Sequence, residues 1–356
     1  IDNVKIEGEL PAVPLEIEQG IPSLYESFKA YFLVGGAVNP GDFGHNSLTE
    51  QLVNKHYNII TAENAMKPDA LQAVEGVFTF EQSDKLVDYA KANNLEMRGH
   101  TLVWHSQVPD WFFQDKDDPS KLASKELLLE RERTHIRAVL NHYKDKYGTA
   151  AEGSPIKYWD VVNEVIDDNG EYRNSKWYQI AGLDYIRVAF ETAREVDPSL
   201  KLYINDYNIE RNNAKTNKLY ELVKMLKAEG VPIDGVGLQM HVSTDISMES
   251  IRASIEKYAS IPGIDLQITE LDVGMGVQDA AITHEVLLKQ ARYYKQLFDV
   301  FKENKESISA VVIWGVTDDT SWRKENKPLL FNGKYLAKPA FYALVSPENA
   351  EINIEE

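Results

Sequence analysis

Eight short runs rich in β-branched and aromatic residues recur along this chain, and each is followed by a stretch with helical periodicity. The runs are "YFLVGGAV" (31–38), "YNIITAE" (57–63), "LEMRGHTLVWH" (95–105) and "IKYWDVVNE" (156–164), then "KLYINDYN" (201–208), "DGVGLQMH" (234–241), "LQITELD" (266–272) and "AVVIWGV" (310–316). Between them, "KLYELVKMLKAEG" (218–230) reads as a helix closing on a glycine. In "HEVLLKQARYYKQLFDVFKEN" (284–304), Leu287, Ala291, Tyr294, Phe298 and Phe301 repeat at three to four residues. Strict alternation of strand and helix makes the strands parallel. Eight such units predict a closed (β/α)8 TIM barrel in a single domain, because a doubly wound open sheet rarely needs so many strands.

The barrel is expected to occupy residues 21–345, where no internal repeat, low-complexity segment or Gly/Ser/Pro linker occurs. Residues 1–20, with Pro11 and Pro14, read as a leader or linker outside it, and 346–356 as an acidic tail. The formal net charge of −18 opposes nucleic acid and anionic membrane as partners, whereas a neutral substrate meets no such penalty. With no cysteine, disulfides, thiolate catalysis and Cys-based metal sites are excluded. No apolar run approaches membrane-spanning length. The chain begins at Ile1 rather than Met, so the lack of a signal peptide says little about where it works.

Polar residues cluster at the C-terminal ends of these strands, the face where barrel active sites assemble. They are Glu63 and Asn64 in the second unit, His100, Trp104 and His105 in the third, and Asn163 and Glu164 in the fourth. Asn205 and Tyr207, Gln239 and His241, Glu270 and Asp272, and finally Trp314 follow in units five to eight. Several are two residues apart, on one side of a strand. Any one alone could be a hydrogen-bonded structural group; the asymmetry over seven strands is what points to a site. Glu164 and Glu270, flanked by Trp, Asn and His with no metal-ligand cluster, suit glycoside hydrolysis. That reaction needs one protonated and one ionised carboxyl group on opposite sides of a glycosidic bond. Trp104, Trp314 and Trp322 would supply flat surfaces for sugar rings.

The longer motifs carry a resemblance. "GGAV" (35–38), "AENAMKP" (62–68), "GHTLVWHSQVPDW" (99–111) and "WDVVNEV" (159–165) are similar, in order, to motifs of glycoside hydrolase family 10, the (β/α)8 endo-β-1,4-xylanases. So are "LYINDYN" (202–208), "DGVGLQMHV" (234–242), "ITELDV" (268–273) and "KPAFYAL" (338–344). The resemblance implies a retaining mechanism with Glu164 as acid/base, Glu270 as nucleophile and carboxyl groups roughly 5–5.5 Å apart. It also implies that Asp272 holds His241 so that His241 donates to Glu270, and that Asn163 bonds the sugar 2-hydroxyl. Glu63, Asn64, Lys67, His100, Trp104, Gln239, Trp314 and Trp322 match glycone-side binding positions. Tyr207 and Asn208 match the leaving-group side, and Asn205 is counted with the substrate-binding residues. Gln107 and Trp322 match positions that crowd a glucose hydroxymethyl, which favours xylan over cellulose. The implied partners are xylan and xylo-oligosaccharides, bound by a monomeric catalytic domain without cofactor or metal. Enzymes of this modular sort are exported, with a cytoplasmic location as the alternative, and "IDNVKIEG" (1–8) reads as the end of an upstream carbohydrate-binding module.

Other features take a plainer reading. His45, His56, His135, His142 and His284 fall on predicted loops or helix faces and are not expected to do chemistry. "LLLERERTHIRAVL" (127–140) reads as a solvated outer helix. "GMG" (274–276) lacks a dinucleotide site's third glycine, and His284-Glu285 lacks the second histidine of a zinc site. The competing functions are another retaining β-1,4-glycanase, or a xylan-binding barrel without activity.

Overall fold

A computed structural model of the chain describes residues 16–278 and 281–346. The expected upstream-module remnant and the acidic tail beyond residue 346 lie outside the described residues. The strands are β1 (Leu33–Val38), β2 (Ile59–Ala62), β3 (Glu96–Val103), β4 (Ile156–Asn163), β5 (Lys201–Asp206), β6 (Gly235–Leu238), β7 (His241–Ser243), β8 (Asp265–Gly274) and β9 (Ile308–Ile313). All pair in parallel; β9 returns to β1, and β6 pairs with β8, so the sheet closes into an eight-stranded barrel. The short β7 continues β6 outward after an interruption at Gln239 and Met240, where Met240 adopts φ +59°.

Period-two alternation divides the strand side chains between lumen and helix shell. On β9, Val311 and Ile313 join the large core shared with the helices, whereas Ala310 and Val312 meet Ile59 in a small separate cluster. Close approach is needed where helix-facing bulk overlies a neighbouring strand: Gly99 pairs with Trp159, and a Cβ at Gly99 would lie 2.3 Å from the Trp159 ring.

The helices follow local capping signals. Ser124 accepts the Leu127 amide to start Lys125–Tyr147, which ends at Gly148 with φ +88°. The predicted 218–230 helix spans Ala214–Ala228, begun by Asn213 and followed by Gly230 at φ +87°. Helix 284–304 is found at His284–Glu303.

Two expectations are corrected. Lys125–Tyr147 is not simply solvated, because Arg131, Glu132 and His135 are buried, and Arg131 and His135 meet the loops that follow β2 and β3. Arg131 pairs with Glu75 at 2.6 Å, and His135 Nδ1 lies 2.7 Å from Gln72 Oε1. The residues before 21 are not wholly apart from the barrel either: Ile17 is buried in the core, and Glu18 accepts the Ala337 amide at 2.6 Å.

Candidate active site

At the C-terminal mouth of the barrel lies a cleft of about 530 Å3. Of the residues expected to form the site, His105 included, all but Asn205 and Asp272 line it, and Arg173 and Arg323 join them. Its geometry begins with the end of β4. Glu164 follows the last strand residue at φ +59°, a left-handed conformation that costs a non-glycine residue about 1 kcal/mol or more. Its amide still donates to the Asn205 carbonyl at 2.8 Å, so the turn starts from a fixed anchor. The abrupt polar ending of "YWDVVNE" is thus a change of backbone direction at the carboxylate itself.

Glu270 remains within β8 and is 5% exposed. Its Oε1 accepts from Asn205 Nδ2 at 2.8 Å, and its Oε2 lies 3.0 Å from His241 Nε2. His241 Nδ1 lies 2.8 Å from Asp272 Oδ2. An imidazole that donates from both nitrogens is an imidazolium. Burial alone would remove its proton, but the Asp272 charge and the hydrogen bonds to Asp272 and Glu270 push the pKa up to about 10. For Glu270 burial acts upward, and the hydrogen bond from His241 with the fields of His100 and His241 outweighs it, leaving the carboxyl below its ordinary range. Glu270 is therefore ionised at neutral pH.

Asn205 is corrected from its expected role. It is fully buried, and its amide joins Asn163, Glu270 and Thr269. Gly237 makes the space, since a Cβ there would lie 2.2 Å from Asn205 Oδ1. Asn205 supports the carboxylates from below and does not line the cleft.

Glu164 sits in different company. Gln239 Nε2 approaches its Oε1 at 3.2 Å, Asn163 Nδ2 at 3.3 Å, and His105 Nε2 is 3.8 Å from Oε2. Burial and Arg173 pull the His105 pKa down, against the pull of Glu164, so no second imidazolium faces this carboxyl at neutral pH.

On another wall of the cleft runs a polar chain. Lys67 Nζ donates to Asn64 at 2.9 Å and to Gln107 at 2.7 Å, and lies 4.9 Å from the centre of the Trp104 ring. Burial lowers the Lys67 pKa, against the opposing fields of Glu270 and Glu63. Glu63 accepts from Asn39, and burial raises its pKa. Trp314 is almost buried beside His100 and His241, whereas Trp322 is 60% exposed. Trp322 is nonetheless tethered, its Nε1 donating to Asp272 Oδ2 at 2.9 Å.

Sequence reasoning missed the layer below. Arg98 and Asp160, both fully buried, form a bidentate pair, and Asp160 also meets His100 Nδ1 at 2.9 Å. The available signal was a charge inside each of two apolar strands, with Arg98 and His100 two residues apart on β3. Among the described residues, no group of three or more His, Asp and Glu side chains is placed to hold a metal ion, and no helix is long and apolar enough to cross a membrane.

The His241 geometry fixes the sign of a pH effect. Its folded pKa lies above the ordinary value of about 6.5, so its stabilisation is complete below that pH and lost as pH rises toward 10. Thermal melts from pH 7 to 10 should therefore fall more steeply for the parent chain than for His241→Gln. The differential is expected to be on the order of a few kcal/mol; parallel curves would contradict the imidazolium assignment.

A barrel mouth bearing two carboxylates, sugar-sized aromatic surfaces and amide donors defines a glycosidase architecture. The chain belongs to glycosyl hydrolase family 10, whose sequence profile matches residues 23–347. It is 56% identical to endo-1,4-beta-xylanase A of Thermoanaerobacterium saccharolyticum over 356 residues, which cover 100% of this chain and 30% of that protein. It is 55% identical to exoglucanase XynX of Acetivibrio thermocellus, covering 98% of this chain and 32% of the relative. The chain thus spans about a third of the length of these two curated relatives. Among solved structures, an intracellular xylanase of Thermoanaerobacterium saccharolyticum, a glutamate-to-alanine mutant in complex with xylotetraose, superposes with a TM-score of 0.89 at 58% identity. That match covers 92% of this chain and 100% of the other.

Proposed function

We propose that this chain is the catalytic domain of an endo-acting β-1,4-xylanase that hydrolyses xylan with retention. The observation carrying this reading is the unequal treatment of two carboxyl groups in one hydrogen-bonded cluster. Glu270 is held ionised by His241, as a nucleophile requires, while Glu164 meets amides and a neutral imidazole. Glu270 attacks the anomeric carbon as Glu164 protonates the departing oxygen; Glu164 then takes a proton from the water that releases the covalent sugar. Substrate contacts are assigned to Glu63, Asn64, Lys67, His100, Trp104, Gln107, Asn163 and Gln239, with Trp314 and Trp322 beside the rings. Tyr207 and Asn208 take the leaving-group side. A time-resolved NMR assay on xylo-oligosaccharides tests the mechanism: β-anomeric product should form first, and initial α product would refute retention.

A second reading, a β-1,4-glucanase, draws on the name of the Acetivibrio thermocellus relative. Reducing-sugar release from xylan beside carboxymethylcellulose separates the two, and release from neither substrate would favour a binding barrel. Trp322 is assigned to discrimination. Trp322→Ala should erode the preference for xylo- over cello-oligosaccharides about tenfold, the scale of one pocket group. Trp322→Phe, which keeps a ring but loses the Asp272 tether, should largely retain it. An unchanged ratio in Trp322→Ala would remove the residue from the specificity account.

A monomeric catalytic unit is part of this proposal, and size-exclusion chromatography with light scattering tests it. A polymeric substrate favours export, the intracellular relative favours the cytoplasmic alternative, and cell fractionation decides between them.

A further inference from the structure

The backbone around Glu164 is gripped from two sides. Arg173 donates Nε to the Glu164 carbonyl at 2.7 Å and Nη2 to the Ile166 carbonyl at 3.2 Å. From below, Asp206 accepts the Ile166 amide on Oδ2 at 3.1 Å and the Tyr207 amide on Oδ1 at 2.9 Å. Lys215 Nζ lies 3.0 Å from Asp206 Oδ1, and neither side chain has any solvent exposure. The same ammonium lies 3.3 Å from the centre of the Tyr207 ring. Arg173 Nη2 also donates to the Tyr207 hydroxyl at 2.9 Å, which closes the circuit.

Stability alone explains this circuit poorly. A fully buried ion pair is often no better for stability than apolar side chains of similar volume. Strained backbone, by contrast, persists only where its surroundings over-determine it, and Glu164 is the strained residue between these two grips. We propose that Asp206, with Lys215 as counter-ion, is a positioning residue for the acid/base. It ties the turn Glu164–Ile166 to Tyr207 on the leaving-group side, so that the Glu164 proton meets the departing oxygen. This rests on the assignment of Glu164 as acid/base made above.

The test compares kcat/KM on xylotetraose, whose sugar leaving group needs a proton, with kcat/KM on 2,4-dinitrophenyl xylobioside, whose phenolate does not. Asp206→Asn keeps the volume but turns an amide donor toward a backbone amide or the Lys215 ammonium. The expected result is about a hundredfold loss on xylotetraose and less than about threefold on the aryl substrate. The double variant Asp206→Asn/Lys215→Met, which removes both charges, should give the same split and guards against misfolding of the single one. Melting and near-UV circular dichroism report the fold. Equal losses on both substrates, or parent-like values on both, would overturn the proposal. Failure of both variants to fold would overturn it too, by making the pair structural. A parent chain inactive on both substrates would instead overturn the xylanase reading on which it rests.

Discussion

Glu164→Ala is expected to stop xylan hydrolysis while leaving the first step on an activated aryl xylobioside intact. An unprotonated sugar alkoxide is a poor leaving group, so loss of the acid should cost about 10² to 10⁴ in rate on xylan. A dinitrophenolate departs without help, and the glycosyl-enzyme should form on Glu270 at close to the parent rate. It should then accumulate, because no base remains to activate water, and a burst of phenol followed by slow turnover is the kinetic signature. Azide, which needs no base, should restore turnover and release a β-glycosyl azide, two inversions giving net retention. An α-azide would place the nucleophile elsewhere.

The fold was legible because its signal is global. Eight alternations of strand and helix survive uncertainty at every boundary, and the boundaries are where the reading slipped. Glu63, Tyr207 and Asn208, at the ends of their predicted runs, lie beyond the strands themselves, in the loops that shape the cleft. Met240 could not be read either, since nothing in "LQMH" announces a residue at φ +59°. The interruption at Gln239 and Met240 nevertheless leaves both Gln239 and His241 facing the cleft.

The site was legible where motif and chemistry coincide, and less so where support comes from buried charge. Asn205 shows the limit. Its place at a strand end suggested substrate contact, but the absence of a side chain at Gly237 lets it turn inward beneath Glu270. Asp206, its neighbour on β5, received no reading from sequence; its importance depends on Lys215, which reaches it from the helix Ala214–Ala228. Arg98 and Asp160 likewise acquire meaning only as a pair, joined across β3 and β4. Long-range pairing of single charges leaves no periodic trace in sequence.

Glu270→Ala is expected to abolish turnover of every substrate, whatever its leaving group, and this breadth distinguishes it from Glu164→Ala. The lost group forms the covalent bond, so an acidic phenol cannot compensate, and the loss should be on the order of 10⁵-fold, comparable to removal of other enzymic nucleophiles. The substitution also removes an anionic partner of His241 and leaves Asp272 as its carboxylate partner. Part of the support for the elevated His241 pKa goes with it, so the imidazole should titrate lower in the variant than the value of about 10 in the parent. Proton NMR of the imidazole reads that shift independently of activity. Azide supplied to this variant would occupy the α face left by the carboxylate and, with Glu164 still protonating the leaving group, give an α-glycosyl azide by a single inversion. A β-azide, or residual hydrolysis of the dinitrophenyl substrate near the parent rate, would show that His241 holds Glu270 for a purpose other than attack.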